Sequence, residues 1–222
     1  MKSIHFFKSV EDCIRPDFIS ESARILNESE QDISKITKIS IATILTGFLS
    51  LANSPAAIEE IMLKVFHKNY EPFNLLKHPE KTLKHPLKND KFETASSIQT
   101  LIFGPHENAV LHLLSKETGI KSEAFNQFIL ILILIVVSIC YKLDLNSSRL
   151  IAALHADNRN IAKLTPKGIT SLLISAPTEI ITDKTDTNEE TEEKFKPKHK
   201  WIIPLLIAII GLLLFYIFYK PK

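Results

Sequence analysis

Cysteine is nearly absent from this chain. Its two cysteines, Cys13 and Cys140, lie far apart and outside any Cys-x-x-Cys spacing. That leaves no disulfide framework and no cysteine-based zinc pattern, so two free thiols in a reducing compartment are expected. Cys140 sits within an apolar run, where a cysteine acts as a small core residue. A charge excess is missing too, since the formal net charge is only +2. Its distribution is uneven. Residues 183–193 hold Asp183, Asp186, Glu189, Glu190, Glu192 and Glu193 against Lys184, and then Lys194, Lys196, Lys198, Lys200, Lys220 and Lys222 follow. The remaining body carries 20 basic and 19 acidic residues, too balanced for a nucleic-acid partner. The first eight residues contain no sustained apolar stretch, so no cleaved secretory signal is expected. Gly-x-Ser-x-Gly, a glycine-rich phosphate loop and His-Glu-x-x-His are all missing. No catalytic residue, cofactor site or metal site is assigned.

A long apolar run is present, at 201–219. It is free of charge, and about 19 residues at ~1.5 Å each reach roughly 29 Å, the thickness of a bilayer's hydrocarbon core. Its Ile, Leu and Phe side chains favour insertion by about 4 to 8 kcal/mol gross. Trp201 opens the run and Tyr216 and Tyr219 stand near its end, where amphipathic rings prefer the interface. Pro204 falls in the first turn, where a missing N–H costs least. The run reads as a transmembrane helix, with a buried core helix as the alternative. Ala208 and Gly211 are small, but no Gly-x-x-x-Gly supports helix dimerisation. Lysines 194, 196, 198 and 200 precede the span and only Lys220 and Lys222 follow, so the positive-inside bias puts the body in the cytoplasm. The same lysines are placed to touch anionic headgroups.

Upstream, the pattern is helical throughout. Pro16 starts a helix with Ile19, Ala23 and Leu26 on one face. Asn27, with Glu30 three residues on, is expected to cap a long helix over 28–51. Another follows from Pro55. Periodicity is lost over 68–90, where Leu-Lys-His-Pro occurs twice; His78 and His85 lack ligand-spaced partners there, so a solvated loop is expected. Helices resume near Ser96 and again over 108–118, with Gly119 as the closing residue and Ser122 capping the next. The run 128–141 is apolar all round, which requires complete burial. At about 14 residues it reaches only ~21 Å, so a core helix is favoured over a second span. Asn146 should cap a further helix. His155 to Asn160 read as a polar turn, with Asp157 or Asn158 capping a short helix near 161–164. His155 and Asp157 could serve acid–base chemistry, but the turn is preferred, and His106 and His112 are isolated. A last helix lies near 166–174, and 178–200 reads as a charged flexible linker. The fold class is therefore all-α: a multi-helix bundle over 1–177 plus one C-terminal transmembrane helix. The two long apolar helices, each preceded by a shorter one, suggest two related helical hairpins.

Several stretches carry a family resemblance. They are Pro16-Asp17-Phe18-Ile19, Leu26-Asn27-Glu28-Ser29, Ile102-Phe103-Gly104, residues 114–122, the long apolar helix, and Leu164-Thr165-Pro166-Lys167-Gly168-Ile169 with Leu172-Leu173. On these the body, over 16–173, resembles the YidB-like family of bacterial domains of unknown function (domain of unknown function 937). The resemblance implies an all-helical fold and no established reaction. Some members continue through a membrane helix into a peptidoglycan-binding domain. This chain departs in having only five glycines and in stopping two residues after Lys220. Two functions remain. One is a tethered, non-catalytic interaction or scaffolding module at the cytoplasmic face of a bacterial inner membrane, whose partners are the lipid bilayer and a protein or a second copy. The other is an enzyme or binding protein of the envelope acting on lipid or cell-wall material.

Overall fold

The computed structural model describes residues 5–66, 72–79, 81, 90–120 and 122–174. The expected linker and membrane span lie outside the described residues. Helix α1 spans Phe6–Glu11, and α2 spans Pro16–Leu26 with proline in its first turn. The end of α2 corrects the expected role of Asn27. This residue adopts the left-handed conformation (φ 56°, ψ 45°) and closes α2, and α3 runs from Glu30 to Ser50. Ser29 is the N-cap instead, its Oγ accepting the Asp32 N–H at 3.1 Å. Asparagine tolerates positive φ better than most residues, and Ser29 supplies the capping oxygen two positions later.

Helix α4 covers Pro55–Phe66, α5 Pro72–Lys77 and α6 Asp90–Phe103. Part of the expected 68–90 loop is thus helical, and α6 begins before Ser96. Leu75 of α5 is buried, and Arg15 Nη1 donates to the Lys77 carbonyl at 2.6 Å at the C-terminal end of α5. One short apolar residue pair gave no readable period, so the tertiary contact had no sequence signal. A 3-10 turn at Gly104–His106 leads into α7, Glu107–Thr118, which ends at Gly119 with φ 78°. Helix α8 spans Ser122–Lys142, α9 Ser147–Leu164 and α10 Lys167–Ile174. Among the described residues, every regular element is helical.

The long helices α3 and α8 pack on one another at the centre. Helices α1, α2, α9 and α10 lie against α3, while α5, α6 and α7 lie against α8. Every residue from 128 to 140 is buried. Its all-round apolar character is therefore satisfied by neighbouring helices, at about 1.5–3 kcal/mol per buried large side chain. Helix α3 and residues 125–142 are both long and apolar enough to cross a membrane, yet most of each is buried inside the body. Phe18 of α2 stacks on Phe128 of α8 with ring centroids 5.9 Å apart.

The two expected hairpins are visible in this arrangement. Helices α2 and α7, of 11 and 12 residues, each end at a left-handed residue and each precede a helix of 21 residues. Each short helix contacts the long one that follows it. Gly47 sets the distance between α3 and α6: a Cβ there would lie 3.0 Å from the Ile102 carbonyl oxygen and 3.2 Å from the Phe103 ring.

Candidate functional site

Helix α9 builds the most unusual polar feature of the body. Asn146 caps it, its side-chain oxygen accepting the Arg149 N–H at 2.9 Å. Leu150, Ala153, Leu154, Asp157 and Ile161 then form its buried face. The spacing is that of an apolar stripe, but one position holds a carboxylate that is only 2% exposed. A buried charge needs hydrogen bonds. Asp157 Oδ2 accepts the Phe7 backbone N–H at 2.8 Å, and its Oδ1 lies 3.4 Å from Nδ1 of His5. His5 is the N-cap residue of α1 and makes no side-chain capping bond of its own. Asp157 therefore acts as the cap of α1, supplied from the far end of the chain.

These contacts correct the reading of 155–160. The segment is continuous helix rather than a turn, and Asp157 caps α1 rather than a following helix. Side chains two apart on a helix point in different directions, so exposed His155 and buried Asp157 are not brought together. The four helical turns around them gave local sequence no reason to break; only the polar composition suggested one. Phe6, Phe7 and Val10 of α1, a helix too short for sequence periodicity to reveal, are buried against the core.

Beside this clasp lies a cleft of about 480 Å³, lined by residues of α1, α3 and α9 that include Lys8, Glu11, Lys38, Asn160 and Lys163. Lys8 pairs with Asp12 at 2.5 Å, and Lys38 lies 3.6 Å from Glu11. The hydrogen bond to Asp12, then its charge, hold the Lys8 ammonium above the ordinary lysine value. A second groove of about 260 Å³ shares Lys8, Glu11 and Lys38 and reaches Ile14, Ile19 and Ile41. On another side of the body, Met62 and Leu63 of α4 face the turn before α9 across a third cleft of about 400 Å³.

Among the described residues, no three His, Cys, Asp or Glu side chains converge as metal ligands. His106 and His112 belong to the 3-10 turn and to α7, and His78 is exposed. His85 lies outside the described residues, as do Trp201, Pro204, Gly211, Tyr216, Tyr219 and lysines 194, 196, 198, 200 and 220. Cys13 and Cys140 are both free thiols, one half-buried and one buried. Burial pushes both thiols up, and the nearby Lys142 charge partly offsets this at Cys13.

Residues 9–142 match the family model described as bacterial protein of unknown function (DUF937). The chain belongs to the DUF937 family. No curated protein and no solved structure matches it. The DUF937 match runs from α1 to the last residue of α8, so it contains both hairpins. The resembling stretch at 164–173 falls beyond it. So do Phe7 and Asp157: the clasp joins two segments that flank the DUF937 match.

Proposed function

We propose that this DUF937 member is a membrane-tethered, non-catalytic module whose helical body works as an interaction or scaffolding surface at the cytoplasmic face of a bacterial inner membrane. The observation that carries this reading is the uncharged apolar run 201–219, preceded by four lysines within seven residues and by a charged linker. Its partners are the bilayer and a protein, or a second copy of the chain. The body has the form such a role needs, because among the described residues the two helices long and apolar enough to cross a bilayer are mostly buried within it. Exposed Leu63, Tyr141 and Ile174 offer apolar contact points on its surface.

Protease shaving of right-side-out spheroplasts tests the topology. The body should be protected until the membrane is breached. Release of an intact body fragment by cleavage within 182–200 would place it in the envelope space and favour the second reading, an envelope protein acting on lipid or cell-wall material.

A further inference from the structure

Helix α4 buries Ile58, Ile61 and Met62 but leaves Leu63, next along the chain, 53% exposed. Leu63 lines the cleft of about 400 Å³ between α4 and the turn from α8 to α9, together with Met62 and Leu145. This lining is more apolar than that of either cleft at the clasp. Charges of both signs line it as well: Glu59 of α4, Asp144 of the turn and Arg149 of α9, all exposed. None of the three has an ion-pair partner among the described residues. Arg149 Nη1 donates instead to the backbone carbonyl of Asp144 at 3.0 Å, and Glu59 accepts the Ser147 hydroxyl at 3.2 Å. The carboxylates and the guanidinium thus share a cleft without forming an ion pair.

An apolar centre with unpaired charges of both signs around it is self-complementary. Two copies related by a two-fold axis present the same patch to each other, and every contact across the axis is made twice. A partner carrying one sign of charge would satisfy one sign here and set like charges against the other, which is costly. A second copy supplies both signs at once. We infer that two copies of this chain dock through this cleft, with the two Leu63 side chains meeting near the axis over Met62 and Leu145. Arg149 of each copy pairs with Asp144 of the other. The inference rests on the proposed interaction role and names its protein partner as a second copy. A single cleft makes a small interface and a reversible dimer, which tethering in one membrane favours by raising the local concentration.

The test follows the full chain by sedimentation in a neutral detergent, with micelles in large excess over protein. A monomer–dimer equilibrium should appear. Leu63→Gln should raise its dissociation constant at least roughly tenfold. Ile174→Gln, at an exposed apolar residue of α10, should leave it unchanged. Arg149→Asp and Asp144→Arg should each weaken the dimer, because each sets like charges against one another across the axis. An equimolar mixture of these two variants should dimerise again, since both pairs in the mixed dimer are of opposite sign. Misfolded chains would show no such rescue. Four results would each overturn the inference: a full chain that stays monomeric at every concentration, a dimer indifferent to Leu63→Gln, one lost equally in Ile174→Gln, or a mixture that associates no better than its components. Micelles have no inner and outer leaflet, so the outcome is independent of the shaving experiment, and a monomer would remove the second copy while leaving the tether in place.

Discussion

The carboxylate of Asp157 accepts the backbone N–H of Phe7 at 2.8 Å, joining residues 150 positions apart. The bond makes a residue in the middle of α9 the cap of the first helix. Replacing Asp157 with alanine leaves a buried N–H without its acceptor and should cost about 1–3 kcal/mol in urea unfolding. Hydrogen exchange should accelerate across Phe6–Glu11 while α3 and α8 stay protected. His155→Ala, on the exposed side of the same helix, should fall within about 0.5 kcal/mol of the parent chain. Equal effects at both positions would refute the capping role.

Gly47 makes a second prediction, opposite to helix propensity. Alanine is favoured over glycine in a helix by about 1 kcal/mol. Here its methyl would press on the backbone carbonyl of Ile102, which cannot swing aside like a side chain. Gly47→Ala should therefore destabilise by about 1–3 kcal/mol. A raised thermal midpoint would show that α6 can retreat.

Two buried hydroxyls invite the reverse experiment. Ser40 Oγ and Thr43 Oγ1 of α3 have no hydrogen-bond partner among the described residues. An unsatisfied buried polar group costs about 1–3 kcal/mol, so Thr43→Val, which keeps the shape, should raise stability by about 1 kcal/mol. Loss of stability in this variant would mean that the hydroxyl is satisfied.

Cys140 should make stability depend on pH in alkali. Its thiol is fully buried, and burial holds its pKa well above the ordinary 9.0. Above that value the unfolded chain loses the proton while the folded chain keeps it, so stability falls as pH rises. The slope approaches about 1.4 kcal/mol per pH unit, and it is absent below the unfolded pKa. In Cys140→Ala that contribution disappears, and unfolding curves above pH 9.0 should show a shallower fall. Thiol labelling of the native protein should modify Cys13 first, with Cys140 reacting only on unfolding.

How much of this was legible in the sequence depended on the range of the interaction responsible. Helix α8 announces itself because all-round burial needs an all-round apolar run, α3 shows itself by apolar residues at helical spacing, and Gly119 and Asn146 act on their own neighbours. Asn27 was ambiguous: asparagine suits both ends of a helix, and Ser29 two residues later decided between them. Helices α1 and α5 were not legible. Each has six residues, and the groups that meet their ends, Asp157 and Arg15, come from distant parts of the chain. The cleft was hidden for the same reason. Lys8, Lys38 and Lys163 are single charges on three amphipathic helices, and only packing makes them a group.

The clasp also has a consequence during synthesis. At about 5–20 residues per second, roughly 8 to 30 s separate the translation of Phe7 from that of Asp157. Through that interval the first helix has no cap, and the seat for Phe6 and Val10 is unfinished. The beginning of the chain thus waits for α9 before its cap can form, and α10, made later still, packs on α3 in turn.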